Sequence, residues 1–413
     1  MSEATAGARA RAGTSVLRSG GLPRARREAV PPLHPWAFLG FAVASFGGPL
    51  ALAASGAPGL AAEAGSSSGL AMLAGAVVFL VPLAIWLRYS REISGSGGLY
   101  AFVEAAAGRR VALVQAAIWT FSYLLYVVYT TVQIVYDLLP SVIPGVGRYQ
   151  TVLALAIPVA LVTVMLAGRA AAFLVVGVIA AGQLALAAIL DGVTLAHIST
   201  PISSFGAGAG AGAVAKASAQ TSLLYVCGSL PLFLGGELAA PARTIRRGIT
   251  AAFLATATVI VLAVAPLAAM PGLLGTAVPG VSVAEQFAGA GLAKAIGIGV
   301  AVSTAGVILC EYVALTRLIH AIGRWSMRSI AAGIGVVALV AAPLSLIDPE
   351  GFYNSLLKPS EVALWLSQLI VFAVYPLFAI RRRLRAWPAL ALATGASAFA
   401  VYGLITTLQQ ASS

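Results

Sequence analysis

The chain has 413 residues, of which 60% are hydrophobic and only 9% charged. Soluble domains carry roughly a quarter charged residues and must clothe a large wet surface, so this composition and a mean hydropathy of +0.96 exclude a soluble fold. The formal charge of +12 sits in short segments between apolar runs, with no aromatic-interleaved basic patch, which argues against nucleic acid as a partner.

In chain order, residues 1–33 are rich in Arg, Ala and Gly without apolar periodicity and read as a disordered cytoplasmic tail. The small residues Ala51–Ala54 resemble a signal-peptide cleavage site, but the basic region ahead of them is too long, and Gly47-Gly48-Pro49 breaks the apolar stretch. Apolar runs long enough to span a bilayer follow at 36–57, 68–87, 111–138, 150–168, 170–190, 219–241, 247–270, 292–322, 327–347, 360–380 and 387–408. The expectation is an all-α polytopic membrane protein of about 11 transmembrane helices. Residues 95–108 are too polar to span and predict a short helix after Gly97-Gly98; the Gly/Ala tract 205–214 reads as a linker.

The basic residues Arg88, Arg91, Arg109, Arg110, Arg169, Arg243, Arg246, Arg247, Arg317, Arg324, Arg328, Arg381, Arg382, Arg383 and Arg385 fall at alternate span ends, together with the Arg-rich tail. Arg148, Lys216, Lys294 and Lys358 fall at the others. By the positive-inside rule the N-terminus is cytoplasmic and the chain lies in the inner (cytoplasmic) membrane.

Two spans carry the means to break. The first holds Ser45-Phe46-Gly47-Gly48-Pro49 near its middle; the sixth holds Tyr225-Val226-Cys227-Gly228-Ser229-Leu230-Pro231. Proline lacks the N–H and clashes with the preceding turn, and glycine loosens the helix. Broken backbone survives in lipid only where it is buried or lines a cavity. Paired interruptions in two five-helix halves point to a transporter built from inverted repeats, although Gly/Pro kinks are also common in ordinary membrane helices. An unwound segment offers free N–H groups to a carboxylate and free carbonyls to an ammonium or a cation. Ser45, Phe46, Gly47 and Gly48 on one side and Val226, Cys227, Gly228 and Ser229 on the other are therefore the candidate substrate contacts.

On the third span Trp119, Ser122, Tyr126, Tyr129, Gln133 and Tyr136 recur at spacings of three and four, which places them on one face. Tyr126 and Tyr129 fall near mid-membrane as candidates to line or close a pocket; helix–helix packing is the competing reading. Intramembrane acids are functional candidates. Glu237, close to Arg243, Arg246 and Arg247, is expected to form a cytoplasmic-gate or structural ion pair; on the eighth span Thr304 and Glu311 share a face, and Ser303, Thr304 and Glu311 are candidates for ion coupling. The fifth span, read as 170–190, carries no Lys, Asp or Glu. Cys227 and Cys310 are isolated, His34, His197 and His320 lack metal-ligand spacing, and no nucleophile–base pair or phosphate loop is present. No enzyme, metal or cofactor is expected.

Three stretches resemble the amino acid–polyamine–organocation superfamily of permeases. Ser96-Gly97-Gly98-Leu99-Tyr100-Ala101-Phe102-Val103 with Gly108 resembles the loop after its second helix. Glu237-Leu238-Ala239-Ala240-Pro241-Ala242-Arg243-Thr244-Ile245-Arg246-Arg247 resembles the motif that closes its sixth. Ala44 to Leu50 resembles an interrupted first helix. The resemblance implies a 5+5 inverted-repeat core over 34–383, a peripheral eleventh helix over 384–413, and substrate held between broken helices 1 and 6. It implies a secondary transporter of amino acids or related amines working by alternating access, with a proton or sodium ion as coupling partner. The chain departs from the family at Gly228-Ser229-Leu230, where many members carry Gly-Phe-Glu, and at Ala240-Pro241 in place of Asn-Pro. An exporter or exchanger of another small organic metabolite, or a transport-inactive sensor or partner protein with a permease fold, stays open as an alternative.

Overall fold

The structure is a computed structural model and describes residues 31–206, 208, 210–323 and 325–409, without the side chain of Glu63. The tail expected over 1–33 lies outside the described residues through position 30, as does Arg324. The described residues form eleven helices long and apolar enough to cross a membrane, with short helices between them and no strand. The chain is an all-α multi-pass membrane protein. We number the spans 1 (Pro35–Ala62), 2 (Gly65–Glu92), 3 (Arg109–Leu138), 4 (Val146–Leu166), 5 (Arg169–His197), 6 (Ala211–Glu237), 7 (Pro241–Ala269), 8 (Ala290–Ile322), 9 (Met327–Leu344), 10 (Pro349–Arg381) and 11 (Ala386–Gln409).

The two halves pack as inverted copies. If span n corresponds to span n+5, the contact of span 1 with span 7 should be matched by one between spans 6 and 2, and span 3 on span 10 by span 8 on span 5; all four occur. Pairs that map onto themselves, 1 with 6, 2 with 7, 3 with 8 and 4 with 9, are in contact as well. Even the connectors repeat. A short helix, Leu99–Ala107, leads into span 3 and packs on it, and another, Pro279–Ala288, leads into span 8 and does the same. Each ends on a glycine in nearly the same left-sided conformation, Gly108 at φ 89°, ψ 168° and Gly289 at φ 86°, ψ 172°. Span 11 stands outside this pairing and packs on spans 10 and 2.

Three boundaries differ most from the sequence expectation. Span 5 continues to His197 and so contains Asp191, which is buried; the apolar run ends at 190, but the helix does not, because Asp191 faces the bundle. Span 10 begins at Pro349, capped by the Asp348 carboxylate accepting from Gly351 N at 3.0 Å, and runs through Pro359. Span 6 begins at Ala211, so part of the Gly/Ala tract is helical; positions 207 and 209 lie outside the described residues.

At one end of the bundle the loop after span 2 meets the end of span 6. A Cβ on Gly98 (φ +50°) would lie 2.5 Å from the Phe233 ring, and one on Gly235 would lie 2.9 Å from the Gly95 carbonyl oxygen. The Gly97-Gly98 loop is therefore glycine-rich because span 6 passes against its backbone. Gly98→Val combines a conformation foreign to β-branched residues with overpacking. We expect it to destabilise the protein by about 2–4 kcal/mol, read by thermal unfolding of purified protein.

Candidate functional site

Both expected interruptions are present. In span 1 the first helix stops at Ser45, whose hydroxyl donates to the Ala42 carbonyl at 2.8 Å. Gly47 and Gly48 take φ of 74° and 71°, which favours glycine. Helix resumes at Pro49, where a missing N–H costs nothing, and a π-turn follows over Leu52–Gly56. In span 6 the α-helix ends at Leu223, the chain turns through Leu224 and Tyr225, and Val226–Glu237 continues as a 3-10 helix with Pro231 inside it. The break thus falls just ahead of the Val226–Ser229 stretch.

A cavity of about 260 Å³ opens between spans 1, 3, 6, 10 and 11. It gathers Gly47, Tyr126, Tyr129, Val226 and Cys227 from the residues singled out in the sequence. The others lie elsewhere. Phe46 is fully buried in an aromatic cluster with Phe79 and Phe253, and a Cβ on Gly228 would strike its ring at 2.3 Å. Ser45 and Ser229 are buried and do not line the cavity. Gly48 abuts Ser303 of span 8, whose hydroxyl donates to the Gln183 amide oxygen of span 5. Thr304 donates back to its own helix at Val300, 3.0 Å. Glu311 is wholly buried, neither of its oxygens has a hydrogen-bond partner among the described residues, and it lies within electrostatic reach of Tyr126 and Cys227.

Sequence reasoning missed a second set of cavity residues. Span 10 contributes Ser360, Glu361 and Trp365, span 6 adds Gln220, and span 11 adds Thr406 and Thr407. Glu361 accepts from the Thr407 hydroxyl at 3.1 Å, and Ser360 exchanges hydrogen bonds with Ser122 of span 3 through hydroxyl and carbonyl at 2.7 and 2.8 Å. With span 10 begun at 360, Glu361 looked like an end residue. With the span begun at Pro349 it is an intramembrane acid, the signal that would have flagged it.

Four residues of the polar face of span 3 line open space, Tyr126 and Tyr129 in this cavity. Gln133 and Tyr136 line a separate, wider space of about 740 Å³ with Asp137, Asp348, Glu350 and Tyr353. The Tyr129 and Tyr353 rings meet edge to face at 5.4 Å between that vestibule and the inner cavity. Beneath the cavity Tyr126, Tyr123, Trp119 and Phe233 continue the contact, with successive centroids 6.0, 4.1 and 4.6 Å apart. At the Arg-rich end Glu237 ties three spans together. Its carboxylate pairs with Arg317 of span 8 at 2.8 Å and Arg169 of span 5 at 2.9 Å, and its carbonyl accepts from Leu33 N at 2.7 Å. Arg243 is exposed and is not the partner, because Pro241 starts a new helix that carries it away.

No family model matches the chain, and no curated protein matches its sequence. Solved structures do match. MhsT in complex with L-phenylalanine superposes with a TM-score of 0.58 at 15% identity, over 90% of this chain and 98% of that one. A substrate-bound, outward-open Na+-coupled sialic acid symporter gives 0.58 at 14%, over 92% and 90%. Mhp1, a nucleobase-cation-symport-1 family transporter in a closed conformation with bromovinylhydantoin bound, gives 0.57 at 16%, over 90% of each chain. At these identities the likeness establishes a shared fold, the inverted-repeat fold of these transporters; three such different ligands on one fold show that it does not fix the substrate.

Arg317 is buried and Arg169 partly exposed, so the two ion pairs should differ in strength. Double-mutant cycles on thermal unfolding are expected to give a coupling of about 1–3 kcal/mol for Glu237 with Arg317, and below about 1 kcal/mol for Glu237 with Arg169.

Proposed function

We propose that this protein is a secondary transporter moving amino acids or related amines across the cytoplasmic membrane by alternating access, with its N-terminus in the cytoplasm. The observation that carries the reading is an asymmetry between the repeats. Span 1 packs on span 5, whereas between the corresponding spans 6 and 10 the chain leaves the cavity. Exchange of these two arrangements, span 6 closing on span 10 while span 1 leaves span 5, would carry the cavity from one face to the other. The Glu237 pairs with Arg169 and Arg317 are the cytoplasmic gate that such a step breaks, and the Tyr129–Tyr353 contact is the outer one.

The neighbours support this reading by what they bind: an amino acid in MhsT and sodium coupling in the sialic acid symporter. The backbone around Gly47 and Val226 would meet the substrate, with Tyr126 and Tyr129 as its lid. For coupling, Ser303 and the Gln183 amide oxygen beside the span-1 break offer oxygens to sodium, with Thr304 one residue on. Glu311, buried and unpartnered, offers a carboxyl to a proton.

Uptake of labelled amino acids and amines into proteoliposomes under imposed proton or sodium gradients tests the function; gradient-insensitive vesicles with correctly folded protein would refute it. Gly47→Leu would set a Cβ 2.9 Å from Leu52 at a positive φ. It is expected to cut uptake at least tenfold without preventing membrane insertion, and unchanged uptake would remove the cavity from the transport path. Glu311→Gln should abolish stimulation by a proton gradient while leaving exchange; retained stimulation would assign coupling to the Ser303 cluster.

A further inference from the structure

The charge lining the path is one-sided. The vestibule holds Asp137, Asp348 and Glu350, and the cavity holds Glu361. Among the described residues, no Lys, Arg or His lines either space. Asp348 is partly engaged as a helix cap. Glu361 keeps one hydrogen bond, from Thr407, and a carboxylate can accept more.

A second observation is independent of the acids. Gln220 of span 6 is 7% exposed and lines the cavity, yet its amide oxygen has no hydrogen-bond partner among the described residues. A buried acceptor left unpaired keeps the cost of its lost hydration, which a ligand N–H would relieve. The facing walls are aromatic and aliphatic: Tyr126, Tyr129 and Trp365 with Leu60, Leu224 and Leu364. Aromatic faces attract cations, and the leucines suit an apolar body.

We propose that Gln220, Glu361 and Thr407 form an ammonium-binding subsite, and that the ligand is an organic amine with a net positive charge and no carboxylate. Glu361 and the Gln220 oxygen accept N–H bonds from the ammonium, the tyrosines and Trp365 cover its charge, and the acidic vestibule concentrates cations ahead of the Tyr129–Tyr353 contact. A zwitterion brings a carboxylate into a space whose side-chain charge is already negative, and an anion brings nothing else. The subsite belongs to spans 6, 10 and 11, so the helix outside the repeat takes part in recognition. This rests on the transporter reading only for what becomes of the ligand after binding.

The test is direct binding to the full-length protein in lipid nanodiscs, with three ligands that share a 2-phenylethyl group and differ in its charged substituents: 2-phenylethylamine, L-phenylalanine and 3-phenylpropionate. The amine is expected to bind at least tenfold more tightly than phenylalanine, with the propionate weakest. Glu361→Gln should weaken the amine at least tenfold, and Gln220→Leu by severalfold. Phenylalanine binding as tightly as the amine, no binding of any of the three, or an amine affinity untouched by Glu361→Gln would overturn the subsite. Should Glu361→Gln fail to fold, Glu361→Asp replaces it; its shorter reach should cost the amine severalfold in affinity, and unchanged affinity would refute the assignment. Flux of the same amine into vesicles separates the two ideas. Binding without flux leaves the subsite and sinks the transporter, whereas amine flux insensitive to Glu361→Gln leaves the transporter and sinks the subsite.

Discussion

Everything in this molecule depends on a rule of the bilayer: a backbone that leaves the helix inside hydrocarbon must be enclosed by protein. Spans 1 and 6 both leave it, and the enclosure they demand organises the rest. Around the first break, Gly48 sits against Ser303 and Gln183, and Gly47 against the Leu52 side chain and the Leu224 carbonyl. Around the second, Gly228 lies under the Phe46 ring. The two breaks thus lie against each other, and spans 5 and 8 cover the first of them.

The glycines are best understood through these contacts. Gly98 and Gly235 let the end of span 6 settle onto the loop after span 2, and Gly280 lets the second connector lie against Ala54, where a Cβ on position 280 would stand only 2.6 Å from the Ala54 side chain. Small residues let backbones approach where lipid gives no hydrophobic force between helices. The buried polar exchanges between Ser122 and Ser360, and between Gln115 and Ser367 at 2.9 Å, hold span 3 to span 10 in the same spirit.

Much of this was legible beforehand. Apolar runs gave the eleven spans because hydropathy is a local property, and Gly-Gly-Pro and Gly-x-x-Pro marked the two breaks because their backbone effects are local too. The three-four spacing on span 3 found the face of Tyr126 and Tyr129, since one helix fixes it. What escaped was long-range or marginal. Glu237 lies six residues from Arg243 in sequence, yet it pairs with Arg317, eighty residues away, and with Arg169 in the other repeat half. Glu361 was hidden by Pro359 and the polar stretch before it, which resemble a loop until Asp348 is seen capping a helix. Asp191 escaped in the same way, one residue past an apolar run. Gln220 carries no sequence signal at all; only its burial without a partner distinguishes it.

The 3-10 stretch Val226–Glu237 has a mechanical consequence. It spans twelve residues, whereas such helices seldom exceed three or four. A 3-10 helix rises about 2.0 Å per residue and an α-helix about 1.5 Å, so rewinding this segment would shorten it by about 6 Å. Its ends are anchored differently: one borders the cavity at Val226, the other is held by the Glu237 ion pairs. A change in winding would therefore become linear travel between the binding site and the far end of the bundle, a stroke of about one helical turn drawn from the backbone itself.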